Sequence, residues 1–304
     1  MTISYETTPS ASGAQIPFIK GLSEIAHRYD GYIFDLFGVL HNGVEPYPGT
    51  LNTLIKLKEQ NKKTVLLSNT PKLSAHSSQD LAAMGITEDL YDRLITAGDA
   101  TRVALQEKND DFHAALGSSC WYIGPETMAH LLEGLDFKRV ERAEDATFIL
   151  NAMPGRDKSL IKDIDKGLDY AAKHDIPMIC ANPDLVVNIG DRQHECAGML
   201  AKHYEEMGGR VAYHGKPYRQ VYNMALEALG LLDKTKILAV GDSIRTDIQG
   251  AHNFEINSIF NLVGIHREEV LMDNSDQEID LDKVMLVLKN QPFQPTAVMA
   301  GLQW

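Results

Sequence analysis

The chain has 304 residues, 44% apolar and 23% charged, which suits one large core or two domains of ordinary size. Its 29 basic and 42 acidic residues give a net charge of −13, which argues against nucleic acid as the main partner because a phosphate backbone needs a basic face. No uncharged apolar run approaches the ~18 residues of a membrane span, and Cys120, Cys180 and Cys196 lack CxxC spacing, so they read as buried thiols in a reducing compartment.

In chain order, residues 1–14 are small and polar and are expected to be flexible. "MTISYETTPSASGAQIPF" lacks the basic start and apolar centre of a secretory leader, which makes the cytoplasm the expected location. "GLSEIAHRY" (21–29) predicts a short helix and "GYIFDLF" a buried strand. "GTLNTLIKLKEQNK" (49–62) carries Leu51, Leu54, Ile55 and Leu57 near helical spacing. "KTVLLSNT" (63–70) is again an apolar run ending in small polar residues, and "SSQDLAAMG" (77–85) predicts a helix closed by Gly85. Strand, helix, strand, helix is the pattern of a parallel sheet covered by helices.

A similar pattern returns late in the chain. A short strand in "MGGRVAYHGKP" precedes a helix over 218–230, a strand in "TKILAVGDS", a helix starting in "TDIQGAHNF" (246–254) and a strand over 256–264. The end, "QPFQPTAVMAGLQW", reads as a tail that docks or frays. Between the two halves lies an α/β stretch large enough for its own core. The expected organisation is a doubly wound parallel-sheet core over 15–95 and 212–304, with an α/β cap domain inserted over 96–211.

Four strand ends or loops stand out for their chemistry. Asp35 ends the strand "YIFD" and can serve as nucleophile or metal ligand. Ser68 and Asn69 end "LLSN" and offer a hydroxyl and backbone N–H groups to phosphate oxygens. Lys216 in "HGKPY" offers a point charge for an anion and an ionised aspartate. Asp242 and Asp247 in "VGDSIRTD" can hold Mg2+ between them. Taken singly, each reads as well as a turn, cap or surface residue. In a parallel sheet, however, the carboxyl ends of the strands share one edge, where loops distant in sequence meet.

In this order and at these strand ends, the four signals resemble the haloacid dehalogenase superfamily, whose members mostly transfer phosphoryl groups through an aspartate. Asp35 and Ser68 are 33 positions apart and Ser68 and Lys216 148, so the insertion falls between the second and third motifs, as in class II caps. "ICANPD", "CAGML", "GGR" and "HGKP" are similar to the class IIA subgroup of nitrophenyl-phosphatase-like and nucleotide-monophosphatase-like enzymes. The resemblance implies a Mg2+-dependent hydrolase of a small phosphorylated metabolite. Asp35 would form an aspartyl-phosphate. The Asp35 carboxylate, the Phe37 carbonyl, Asp242 and Asp247 would hold the metal, with Ser68, Asn69 and Lys216 on the phosphoryl group. Asn182 and Asp184 of the cap could contact substrate or simply form an Asx-Pro turn. Class IIA caps often mediate dimers, so the resemblance also allows a homodimer.

One position departs from the phosphatase pattern. Two residues after the nucleophile, where an acid usually serves the leaving group, stands Phe37. His41 is the first candidate for a substitute acid/base and His214 the second, although each reads more readily as a hydrogen-bonded loop histidine with no catalytic duty. The departure implies slow or atypical turnover. It leaves open a catalytically weak phosphate-ligand-binding or regulatory protein, and a metal-independent dehalogenase-type hydrolase.

Overall fold

A computed structural model of the chain describes residues 16–153, 158–190, 192–273, 275, 278–289 and 291–304. The expectation for residues 1–14 lies outside them. In chain order the strands are β1 (Phe18–Ile19), β2 (Gly31–Phe34), β3 (Lys63–Ser68), β4 (Arg93–Thr96), β5 (Ser119–Ile123), β6 (Lys138–Val140), β7 (Phe148–Asn151), β8 (Met178–Cys180), β9 (Val186–Ile189), β10 (Arg192–Glu195), β11 (Val211–Tyr213), β12 (Ile237–Gly241), β13 (Asn257–Asn261) and β14 (Ala297–Met299).

Seven of them form one sheet in the order β1-β14-β13-β12-β2-β3-β4, with every pairing parallel. Its central strands read as unbroken apolar runs because helices cover both faces. The two-residue period divides those runs between two cores. Tyr32, Phe34, Leu66, Leu238 and Val240 pack with Leu54, Leu57 and Leu81. Ile33, Val65, Leu67, Ile237 and Ala239 pack with Val221, Tyr222 and Ala225 of the helix Arg219–Leu229. Truncating one of these fully buried leucines to alanine would cost ~2–5 kcal/mol. Strand order reverses between β2 and β12. Chain following β2 builds outward through β3 and β4, and chain following β12 through β13 and β14. Such a reversal opens a crevice at the carboxyl ends of the two central strands.

The inserted segment builds a second parallel sheet, β11-β8-β7-β5-β6, and an antiparallel hairpin, β9–β10. Trp121, Leu168, Ala171, Ala201 and Tyr204 share its core. β11 pairs with β8, so the second sheet extends to Tyr213, just past the expected boundary at 212.

The terminal stretch docks rather than frays: β14 lies between β1 and β13, and the Gln303 carbonyl accepts the Leu22 N–H at 2.8 Å. Two other local expectations change. The segment 21–29 forms two 3-10 turns, Leu22–Glu24 and Ala26–Arg28, rather than one helix. The helical stretch after β12 opens earlier than expected, with a wide π turn over Ile244–Ile248 before Gln249–Asn253. All three cysteines are buried free thiols. Among the described residues, no helix is long and apolar enough to cross a membrane.

Candidate active site

The reversal point gathers the chemistry-bearing strand ends. Asp35 leaves β2, and its N–H continues the ladder by donating to the Val240 carbonyl at 3.0 Å. Asp242 leaves the neighbouring strand β12. Asp35, Asp242 and Asp247 form the one cluster among the described residues with potential metal-ligand atoms all within 4.8 Å of one another. Lys216 is 2% exposed, and its Nζ lies 2.6 Å from Asp35 Oδ1 and 2.7 Å from Asp247 Oδ1.

Each carboxylate is aimed by backbone. Asp242 Oδ2 accepts the Ile265 N–H at 2.7 Å. Gly38 leaves room for it, since a Cβ there would fall 1.9 Å from that oxygen. Asp247 Oδ2 accepts the Ser243 N–H at 3.1 Å, and the Asp247 N–H returns to the Ser243 carbonyl at 2.9 Å. The π turn therefore folds Asp247 back over the end of β12.

Burial pushes the Asp35 carboxyl above the usual range despite the pull of Lys216, with Asp247 adding to the rise. Asp242 is pushed up by burial and by the Asp35 and Asp247 fields. Burial works against the Lys216 ammonium, yet Asp247, Asp35 and Asp184 together hold its pKa above that of an ordinary lysine. The site thus crowds carboxylates around one ammonium.

Ser68 and Asn69 lie buried at the end of β3. Ser68 Oγ accepts the Thr70 N–H at 3.2 Å. Asn69 holds the Lys216 backbone through its side chain, which its expected backbone role did not anticipate: Oδ1 accepts the Lys216 N–H at 2.6 Å, and Nδ2 donates to the Lys216 carbonyl at 3.2 Å. From the cap, Asp184 Oδ1 accepts from Asn69 Nδ2 at 2.9 Å. Asn182 closes an Asx turn, its Oδ1 accepting the Asp184 N–H at 2.9 Å. Arg245 Nη2 donates to the Pro183 carbonyl. The hairpin β9–β10 also reaches the core, with the Gly190 N–H donating to the Asn42 carbonyl at 2.8 Å.

Phe37 is half-buried, packs on the first core and meets the His41 ring edge-on at 4.5 Å between centroids. His41 is buried; its Nδ1 accepts the Gly43 N–H at 3.0 Å, and burial lowers its pKa to about 4. Its ring supports the loop rather than offering a proton near neutral pH. His214 faces away from the carboxylates, with Nδ1 2.8 Å from Gln220 Oε1 and Nε2 3.0 Å from His113 Nε2.

Two family models match the chain. One, described as haloacid dehalogenase-like hydrolase, spans residues 32–138, and one described as HAD-hydrolase-like spans 213–285. The chain belongs to the haloacid dehalogenase-like hydrolases. Between them the two matches carry Asp35, Ser68, Lys216, Asp242 and Asp247. A protein named acid sugar phosphatase from Staphylococcus saprophyticus is 24% identical over 82% of this chain and 92% of its own. The 5'-nucleotidase YutF of Bacillus subtilis is 23% identical over 82% and 93%. The crystal structure of a haloacid dehalogenase-like hydrolase from Brucella suis superposes with a TM-score of 0.78 and 29% identity, covering 93% of this chain and 99% of that one.

Proposed function

We propose that the chain is a Mg2+-dependent hydrolase of small phosphate monoesters that works through an aspartyl-phosphate on Asp35. The observation that carries this reading is Lys216 Nζ bridging Asp35 and Asp247 beside Asp242, at the edge where β2 and β12 part. Relatives named acid sugar phosphatase and 5'-nucleotidase support the substrate class.

The donor set fits a hard dication. It is all oxygen, as Mg2+ prefers. Burial and mutual repulsion raise Asp35 and Asp242, and a single ammonium does not balance three carboxylates. Asp35, Asp242 and Asp247 would hold the ion with the Phe37 carbonyl, and the bound ion would neutralise charge on the phosphoryl oxygens. The remaining work falls to the chain's own groups. Asp35 attacks phosphorus while the ester P–O bond breaks and its electron pair leaves on the alkoxide oxygen, which takes its proton from a water molecule to become the alcohol. Lys216, the Ser68 hydroxyl and the Asn69 backbone N–H hold the transferring group. Water then attacks phosphorus, the Asp35–phosphate bond breaks, and inorganic phosphate leaves. The cap loop 182–184 and the β9–β10 hairpin, both seated on the core, exclude bulk water during these steps.

Phe37 limits the rate. No titratable side chain stands two residues after the nucleophile, and general acid–base help is typically worth ~10²–10⁴-fold. Slow turnover on poor leaving groups follows, and at the extreme a protein that binds phosphate esters without useful catalysis. Three buried free thiols suit a reducing compartment such as the cytoplasm. A panel of phosphate esters with and without Mg2+, run beside Asp35→Asn, tests the reading. Mg2+-dependent phosphate release that vanishes in the variant supports it; binding of esters with no release from any of them leaves only the ligand-binding role.

A further inference from the structure

One side chain, the Asn69 carboxamide, ties the Lys216 backbone to the cap. The Asn69 carboxamide is 2% exposed and fully committed: Oδ1 to the Lys216 N–H at 2.6 Å, Nδ2 to the Lys216 carbonyl at 3.2 Å and to Asp184 Oδ1 at 2.9 Å. Both amide hydrogens are therefore used, one on the core and one on the cap. Turning the amide over would set an oxygen against two acceptors and an NH2 against a donor, so its orientation is fixed by its partners. Gly215, at φ +126°, allows the close approach, because a Cβ there would fall 2.5 Å from Asn69 Oδ1.

The cap end of this chain of contacts is itself built. The Asx turn of Asn182 presents Asp184, and Arg245 from the loop after β12 holds the Pro183 carbonyl next to it. The 182–184 loop is thus seated on the core at two points, and one of them continues through Asn69 into the backbone that carries the ammonium.

We infer that Asp184 is a positioning residue: by fixing the Asn69 carboxamide, it sets the Lys216 backbone when the cap is seated. The inference rests on the phosphoryl-transfer reading of the site. It means that cap seating and completion of the site are one event. With the cap lifted, Asn69 loses the partner that fixes its second hydrogen, and the Lys216 ammonium loses its alignment between Asp35 and Asp247. Asp184 has a rival role. Burial pushes its carboxyl above the usual range, as a general acid would need, and it could replace the acid missing at Phe37. The two roles differ in what asparagine can do, because Asn keeps an oxygen to accept from Asn69 Nδ2 but carries no transferable proton.

The test is steady-state kinetics with Mg2+ and 4-nitrophenyl phosphate on the full chain, comparing Asp184→Asn, Asp184→Ala, Asn69→Ala and the double alanine variant. A lost buried hydrogen bond predicts a ~10–100-fold fall in kcat for Asp184→Ala, with KM within ~3-fold. Asp184→Asn is expected to stay within ~3-fold of wild type, and the double variant to be no worse than Asn69→Ala alone. Hydrogen exchange supplies a readout free of turnover: the Lys216 amide should lose protection in Asp184→Ala and keep it in Asp184→Asn. If Asp184→Ala does not fold, Asp184→Ser carries the same expectation. An Asp184→Asn variant as poor as Asp184→Ala, additive losses in the double variant, or an unaffected Asp184→Ala would each overturn the inference. If wild type turns over no ester, the phosphatase reading fails, and the exchange pattern alone judges the positioning role.

Discussion

On the proposed mechanism, replacing Phe37 with aspartate supplies the acid that serves the leaving group. The backbone at this position is well held: the Gly38 carbonyl accepts from Asn261 Nδ2 at 2.7 Å, and the Gly38 N–H donates to the His41 carbonyl at 3.0 Å. The new carboxyl would therefore leave the loop at the point where the ring leaves it now. Turned toward Asp35, Asp242 and Asp247, it would meet the field of three carboxylates clustered within 4.8 Å of one another, which would raise its pKa, as a general acid requires. The substitution has a stability cost. The ring is half-buried and meets His41 edge-on, so losing it should destabilise the fold by ~1–3 kcal/mol. Against this, general acid help of ~10²–10⁴-fold sets the upper range of the gain, and imperfect placement of a new side chain argues for ~10–100-fold on an alkyl phosphate. A 4-nitrophenyl leaving group departs with little protonation and should gain less than ~5-fold. The assay is phosphate release at saturating Mg2+ for both substrates, with thermal unfolding to verify the fold. An equal change for both esters in a folded variant would refute the reasoning, because the missing acid would then not limit the rate.

Three further outcomes follow from the same geometry. Asp35→Asn keeps the side chain's size and removes the nucleophile, so turnover should fall at least ~10³-fold while circular dichroism is unchanged. Lys216→Met strands buried carboxylates without their ammonium and should cost ~3–5 kcal/mol in denaturant unfolding without metal; a loss under ~1 kcal/mol would mean that the cluster is better solvated than its burial indicates. His41 and His214 are both held neutral, mainly by burial, with pKa values lowered to about 4. Between that value and the ordinary ~6.5, the unfolded chain binds more protons, so each histidine's contribution is intact above pH 6.5 and lost as pH falls toward 4, by up to ~3 kcal/mol. The stability advantage of wild type over His214→Gln should accordingly shrink across that window in urea unfolding; an advantage that grows on acidification would reverse the sign.

The sheet was legible because its central strands are apolar on both faces, so "YIFD" and "ILAVG" stood out as buried runs, and the strand-end Asp35, Ser68 and Asp242 came with them. Lys216 was legible only through its place before a helix and its spacing from Ser68. What escaped was tertiary. Nothing in "LLSN" tells that the Asn69 side chain spans to the Lys216 backbone, a partner 147 positions away, and to Asp184, 115 positions away. Gly215 was the available clue, since a glycine before a buried lysine permits such an approach. The Ala297–Met299 strand was hidden because three residues bounded by prolines and glycines give no period to read; only the open edge of β13 makes them a strand. Likewise, His41 and His214 read as candidate acids because the sequence carries no burial, and burial is what makes them neutral.

Phe37 alone would suit a metal-free displacement of halide by Asp35 just as well, since a halide leaves without a proton. The loop after β12 argues otherwise. Asp242 and Asp247 are both buried, and Asp242 is pushed up by burial and by neighbouring carboxylates rather than stabilised by a cation of its own. Removing ionised groups from water costs several kcal/mol each, and attraction to one lysine does not repay it for three. A site that displaces halide needs only the nucleophile and a cradle for the leaving ion; a second and third acid beside the nucleophile would oppose an anionic substrate. Beside a dication the same acids become ligands, and the repulsion that pushes the Asp242 carboxyl up becomes binding affinity. The acids retained at 242 and 247 therefore weigh more than the aromatic at 37. On the proposed reading, the site would hold a phosphoryl group next to Mg2+ and lacks only the residue that would serve the leaving group.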